Sequence, residues 1–246
     1  MAVGEARYGI DPYLEWVNQE GVPVVEDIAV DLFEVPVADW ARFGCKGAAV
    51  HLKGRGDFSN MFLFELAPAQ STSPQQHLFE EVLYVLEGHG STQVELANGQ
   101  THMFEWGPRS LFAIPLNAKY RHFNGSGQER ALLVSTTNCP TVMNLFHRPD
   151  FIFGNPYDFS ARAGKEGYFT GDGDFHEIRQ GNHMWETNFV PDLAEIELKS
   201  WGDRGAGGTN IMFVLADGVM HAHISEMPVG TYKKGHRHGP GFHVMC

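Results

Sequence analysis

The sequence contains few cysteines and few basic residues. Its three cysteines, Cys45, Cys139 and Cys246, are an odd number without close spacing, which argues against a disulfide framework and against a thiolate zinc site. Lysine and arginine together number 18, against 30 aspartates and glutamates, for a formal net charge of −12. Because this charge repels a phosphate backbone, we exclude nucleic acid as a partner.

Long hydrophobic runs are also missing from the sequence. The apolar stretches, such as residues 81–86, are far shorter than the roughly 20 residues that span a bilayer. The N-terminus has neither the basic start nor the apolar centre of an export signal. The sequence therefore predicts a cytoplasmic protein with no membrane partner.

Most of the local patterns in the sequence are those of β-strands. One short helix is expected after the N-cap Asp11 and Pro12, and Gly21 is expected to stop it. Beyond it, short β-rich runs are separated by glycine, proline and asparagine: 48–52, 60–66, 81–87, 91–96, 110–114 and 131–137. Regular short strands with turns between them predict an all-β sandwich or barrel.

The chain repeats itself at a fixed offset of 161 residues (201 − 40). The matching residues, aligned without a gap, are Trp40 with Trp201, Gly44 with Gly205, Gly47 with Gly208, Glu65 with Glu226, and His77 with His238. Identities of tryptophan, glycine and histidine in a common frame seldom arise by chance, so we infer two copies of one β unit.

The repeat divides the chain into four parts. We expect an N-terminal helix and lead-in over 1–29, a first β unit over 30–137, an aromatic-rich linker over 138–190, and an incomplete second unit over 191–246. By the same offset a full second unit would extend to about residue 298 (137 + 161). The apolar run 211–215 would then lack partners, so we expect it either to pair with the first sheet or to be poorly ordered.

Three histidines lie close together near the end of the sequence. His236 and His238 are two residues apart, so on an extended strand they project from the same face and can bind one ion. His243 follows after a gap of four residues. The alternative is a pair of surface histidines after the lysine turn at 233–234.

Three segments resemble the motifs of the cupin superfamily. Gly230, followed five residues later by His-x-His, resembles the first half of the first cupin motif, and residues 81–88 resemble its second half, Glu-x6-Gly. Residues 115–124 resemble the second cupin motif. Two copies make the chain similar to bicupins such as the gentisate 1,2-dioxygenases. The resemblance implies a double-stranded β-helix, the cupin or jelly-roll barrel, complete in the first unit and only begun in the second, and it makes a homo-oligomer plausible.

The resemblance also implies metal ligands in the second unit. His236 and His238 fall on the two leading histidines of the family, and His243 replaces its glutamate. Three neutral imidazoles suit Fe(II), which we expect first, with zinc, manganese, nickel and copper as alternatives.

In the first unit the family's ligand positions fall on Gln75, His77, Glu81 and Tyr120, of which only His77 and Glu81 match the family. His122, two residues beyond Tyr120 on the same strand face, can add a third nitrogen. These five residues form either a degenerate metal site or a hydrogen-bonded polar core without metal.

Two functions fit these residues. The first is an Fe(II)-dependent, dioxygenase-like oxidoreductase that acts on a small aromatic or acidic organic substrate. The alternative is a non-catalytic cupin module that binds or senses a small molecule, with Gln75 and Tyr120 giving hydrogen bonds in place of metal ligation. The sequence leaves open whether the protein is an enzyme.

Overall fold

In the computed structural model the described residues are 11–54, 58–200, 207–232, 235 and 242–246, without the side chain of Arg179. The helices are short: α1 Pro12–Gln19, α2 Cys139–Phe146 and α3 Pro149–Ile152. Within the described part of the chain, no helix has both the length and the apolar character needed to cross a membrane.

Strands dominate the described residues, which confirms the prediction of an all-β fold. The first ten are β1 Val24–Asp27, β2 Ala38–Trp40, β3 Cys45–Leu52, β4 Asn60–Leu66, β5 Glu81–Glu87, β6 Gly90–Glu95, β7 Thr101–Trp106, β8 Leu111–Ala113, β9 Lys119–Asn124 and β10 Ala131–Thr137. Six more follow: β11 Asp174–Arg179, β12 Asn182–Thr187, β13 Phe189–Val190, β14 Lys199–Ser200, β15 Thr209–Leu215 and β16 Ala222–Glu226.

The first ten strands and β13 form a two-sheet barrel. The larger sheet has the order β1-β3-β4-β10-β5-β8-β13, with β2 paired to β3, and the smaller sheet has the order β7-β6-β9. Phe62 and Phe64 of the larger sheet share one apolar core with Val94 and Phe104 of the smaller sheet. Strand β4 is buried on both faces, because its alternate residues Met61 and Leu63 belong to a second apolar cluster.

Helix α1 forms where its capping residues predict it. The side chain of Asp11 accepts a hydrogen bond from the backbone N–H of Leu14 at 3.1 Å, and Pro12 occupies the first turn. The helix buries Tyr13 and Trp16 against the barrel, where the Tyr13 hydroxyl lies 2.7 Å from His51 Nε2. The N-terminal helix therefore covers part of the first barrel.

The glycine that ends the Glu-x6-Gly motif is required by the turn after β5. Gly88 has a φ of +86°, and a Cβ at this position would lie 2.7 Å from the Cα of Ala131. Both the left-handed backbone and this close approach exclude larger residues. The motif therefore reports a turn geometry as well as a candidate ligand.

One more sheet lies outside the two-sheet barrel, and we call it the second sheet. It has the order β11-β12-β15-β14, with β16 paired to β15. One face of β15 is buried through Ile211, Phe213 and Leu215. These side chains share a core with Leu111, Ala113 and Val190 of the first barrel. Neither expectation for residues 211–215 holds, because the strand pairs within its own sheet and contacts the barrel through side chains.

A polar contact adds to this docking. Glu80, which precedes β5, accepts hydrogen bonds from the backbone N–H groups of Val219 at 2.9 Å and Met220 at 3.1 Å. Arg162 forms an ion pair with the other carboxylate oxygen at 2.6 Å. The turn between β15 and β16 is thus held against the first barrel.

The second sheet repeats the strand pairing found in the larger sheet of the barrel. Residue pairs of β3 and β4, such as Ala49 with Phe62, have counterparts in β15 and β16, such as Met212 with His223. The same holds for β2 against β14, both antiparallel to the central strand, and for β1 against β12, both parallel to it.

The offset between the two copies is not constant along the chain. If β4 matches β16 at 161 (223 − 62), the strand pairing requires β3 to match β15 at 163 (212 − 49). The matches Gly47 with Gly208 and Glu65 with Glu226 therefore cannot both keep one offset. A hairpin register depends on turn length as well as on identities.

Replacing Phe213 by alanine tests the docking of the second sheet. Phe213 is fully buried, so we expect its loss to lower the free energy of unfolding by about 3–5 kcal/mol. Val214→Ala, on the half-exposed face of the same strand, serves as the control and should cost about 1 kcal/mol or less. Chemical denaturation measures both, and equal effects would contradict the docked arrangement.

Candidate functional site

The five residues that the sequence assigns to the first unit lie together inside the barrel. Gln75 and His77 belong to the segment before β5, and Glu81 begins that strand. Tyr120 and His122 point inward from β9, with ring centroids 5.1 Å apart. Each side chain is at most 5% exposed. The structure therefore brings this set together in a solvent-excluded interior.

Three of these residues form a continuous hydrogen-bonded chain. His77 Nδ1 donates to the carbonyl oxygen of Phe79 at 3.0 Å, and its Nε2 lies 3.0 Å from the Tyr120 hydroxyl. The Tyr120 hydroxyl in turn donates to Glu81 Oε2 at 2.7 Å. The distance from His77 Nε2 to Glu81 Oε2 is 3.5 Å. We call these residues the His77–Tyr120–Glu81 network.

The positions of the protons in this network follow from the neighbours of each atom. Burial raises the pKa of Glu81, but the interactions with His77, Ser135 and Tyr120 together outweigh it, so the net shift is downward and the carboxylate is ionised. Burial and the charge of Glu81 raise the pKa of Tyr120, which stays a neutral phenol. The Tyr120 hydroxyl gives its proton to Glu81, so its oxygen is the acceptor towards His77 Nε2.

His122 lies beside this network and makes its own contacts. Its Nδ1 is 2.8 Å from Thr92 Oγ1, which also accepts the indole N–H of Trp106 at 2.9 Å. Burial lowers the pKa of His122 to about 4, against an opposite effect of the Glu81 charge. The ring is therefore neutral at pH 7.

Hydrogen bonds occupy most of the candidate ligand atoms of the first barrel, although Glu81 Oε1 and His122 Nε2 are buried without a hydrogen-bond partner. Metal–nitrogen and metal–oxygen bonds are about 2.0–2.2 Å long, whereas the Tyr120 hydroxyl lies between His77 and Glu81 at hydrogen-bond distances. The Gln75 amide donates to the backbone carbonyls of Arg42 at 2.9 Å and Ser73 at 3.1 Å. The geometry favours the polar-core interpretation of these residues.

Most of the second predicted site cannot be placed. His236 and His238 lie outside the described residues. His243 is half-buried, and its Nδ1 lies 3.4 Å from Thr136 Oγ1 on β10 of the first barrel. The convergence of the three histidines on one ion stays a prediction.

A different cluster of metal-binding side chains does meet in the structure. Asp174, His176 and Glu186 each offer one ligand atom, and these atoms all lie within 4.8 Å of one another. No other set of three such residues does so in the described part of the chain. The sequence signal for this cluster is the Asp-x-His pattern of Asp174 and His176, which lies in the segment that the sequence analysis assigns to the linker.

Comparisons with known proteins find similarity of fold but not of sequence. No protein-family model matches the chain, and no curated protein matches it. The alignment with an oxalate oxidase structure covers 32% of this chain and 41% of the oxalate oxidase chain, at 19% identity and a TM-score of 0.31.

Two further structures resemble part of the chain. Vicilin from Capsicum annuum aligns over 42% of this chain and 30% of its own, at 13% identity and a TM-score of 0.37. The oxalate decarboxylase of Bacillus subtilis, described with Mn(II) centres, aligns over 46% and 30%, at 14% identity and a TM-score of 0.37. The chain spans less than half the length of each of these three structures.

The lowered pKa of His122 makes stability depend on pH. An unfolded histidine binds a proton near pH 6.5, but folded His122 does so only near its pKa of about 4. Its contribution, at most about 3 kcal/mol, is complete above pH 6.5 and is lost as the pH falls towards 4.

We expect His122→Gln to reduce the fall in unfolding free energy between pH 6.5 and pH 4, measured by denaturation at several pH values. His102→Gln, at a half-exposed histidine on β7, is the matched control. Identical pH profiles for the two variants would contradict the assignment.

The polar-core interpretation predicts that His77 does not affect metal content. His77→Ala should leave the metal bound per chain unchanged while it lowers the free energy of unfolding by about 1–3 kcal/mol, because the buried hydroxyl of Tyr120 loses a hydrogen-bond partner. Elemental analysis and denaturation measure the two effects. Loss of a metal equivalent on this substitution would overturn the polar-core interpretation.

Proposed function

We propose that this chain is a metal-dependent bicupin of the gentisate dioxygenase type, which acts on a small aromatic or acidic organic molecule. In this proposal His236, His238 and His243 of the second unit hold the metal. Three imidazoles form a donor set suited to Fe(II). Bound there, the iron supplies an electron source and a template for substrate and dioxygen.

The observation that carries the proposal is the contrast between matching faces of the two units. In the first unit the pair Ala49 and Phe62 points into the barrel, where it is fully buried with Phe64 in the apolar core. This interior is filled by side chains. The polar residues on this face, His51 and Asn60, are buried and bonded to Tyr13 and Thr137.

The equivalent face of the second unit is polar. With β4 matched to β16 at the offset of 161, Met212 and His223 take the places of Ala49 and Phe62, and both are at least partly exposed. The next pair is Asn210 and Ser225, joined by a hydrogen bond of 2.8 Å. A face with amide, hydroxyl and imidazole groups can orient a polar substrate. This contrast supports placing substrate binding in the second unit.

The repeated pairing also supports two units of one kind, as a bicupin requires. We propose that the units begin with β1 and β12, because these strands occupy matching positions beside β3 and β15. The first unit would then act as the scaffold. Its contacts through Glu80 and through the core around Phe213 hold the second unit in place.

The non-catalytic binding module remains the second candidate. The His77–Tyr120–Glu81 network favours it, because residues at family ligand positions are bonded to one another. A module of this kind would bind a small molecule with no requirement for metal. A chelator would then change neither its stability nor its ligand affinity.

Iron loading of the double variant His236→Ala/His238→Ala tests the enzyme proposal. We expect the unaltered chain to bind iron under anaerobic conditions and to consume oxygen with a member of a panel of aromatic and carboxylic acids. The double variant should lose both properties, because two of its three ligands are gone. The control is His221→Ala, at an exposed histidine before β16.

The outcomes separate the two candidates. Iron retained in full by the double variant would contradict the ligand assignment. If the unaltered chain binds one of these acids but holds no metal and consumes no oxygen, the binding module is supported.

A further inference from the structure

Asp174, His176 and Glu186 share one face of the hairpin formed by β11 and β12. Asp174 and His176 are two residues apart on β11, so their side chains project to the same side. Asp174 is the direct cross-strand partner of Glu186. His176 Nε2 lies 3.5 Å from Glu186 Oε2. Two paired strands thus hold the three side chains at short mutual distances.

The neighbours of this cluster do not neutralise its charge. Carboxylates directly opposite each other on paired strands repel. Lys165 forms an ion pair with Asp174, but among the described residues no lysine or arginine forms one with Glu186. Two carboxylates and one ammonium leave one negative charge, beside the imidazole of His176.

The Asp174 carboxylate is held in a fixed orientation. Lys165 and the hydroxyl of Tyr168 both bond to its Oδ2, the latter at 2.6 Å. Oδ1 makes no hydrogen bond with the described residues. Carboxylates that bind a metal through one oxygen are commonly held in place by hydrogen bonds from neighbouring groups. Here Oδ2 of Asp174 takes those hydrogen bonds, and Oδ1 is available to the metal.

We propose that Asp174, His176 and Glu186 bind a divalent transition-metal ion, with zinc as the best match. Zinc takes imidazole nitrogen and carboxylate oxygen, and three protein ligands leave a position for water. Asp174 and Glu186 are half-exposed and His176 is exposed, so solvent reaches this position. The ligand set is distinct from the C-terminal histidines. The bound ion would fasten the hairpin to the turn at Glu166–Phe169 through Tyr168.

Zinc titration of the whole protein tests this site, with zinc alone as the probe. The background is the His236→Ala/His238→Ala chain, in which zinc bound by the C-terminal histidines is removed. We expect one zinc equivalent to remain in this background. His176→Ala and Glu186→Gln should each weaken it at least about tenfold, because each removes a ligand.

Two further variants sharpen the test. Glu177 also lies on β11, but its side chain projects to the opposite face, so Glu177→Gln should not change the zinc affinity. Tyr168→Phe removes a hydrogen bond that orients Asp174 and should weaken zinc binding. X-ray absorption should give one imidazole with oxygen ligands, and circular dichroism checks that each variant is folded.

The results distinguish this site from the proposed function. The hairpin site would be overturned if the double variant bound no zinc, or if folded His176→Ala and Glu186→Gln chains kept their zinc. Neither result would contradict the assignment of the C-terminal histidines as ligands. If the unaltered chain and the double variant bind one equivalent with equal affinity, the hairpin site stands and the C-terminal assignment fails.

Discussion

The arrangement of the second sheet depends on apolar packing between two strands that are not hydrogen-bonded to each other. Phe213, with Ile211 and Leu215, is buried against Leu111 and Val190 on the outside of the first barrel. Side chains alternate along a strand, so burial of this face directs Met212 and Val214 to the opposite side. The contact therefore determines which residues of the second unit are available to a substrate or an ion.

The first barrel has a different constraint, which is a polar network buried in its interior. Buried polar groups are stable when they are hydrogen-bonded, and His77, Tyr120 and one oxygen of Glu81 bond to one another, with the Phe79 carbonyl as the outer acceptor. Removing any member leaves a buried donor or acceptor without its partner. Glu81 Oε1 and His122 Nε2 stand outside these bonds, buried without a hydrogen-bond partner.

The two units thus share a pattern of pairing and differ in the chemistry of one face. The matching pairs of β3 with β4 and of β15 with β16 keep the backbone arrangement constant. Phe62 in the first copy closes an apolar core, and His223 in the second lies on an exposed face. Backbone hydrogen bonds tolerate this difference because they do not involve side chains.

The sequence by itself determined the local features: the helix after Asp11, the short strands, the turn at Gly88, the existence of a repeat, and a common position for His77, Glu81 and Tyr120. These depend on neighbouring residues and on known spacing. Only the tertiary structure decided that Tyr120 lies between His77 and Glu81, that one repeat offset cannot hold for both strands of a hairpin, and that Asp174 faces Glu186. Each of these is a contact between distant or separately paired segments, and its register is fixed by turn lengths and packing that local patterns do not encode.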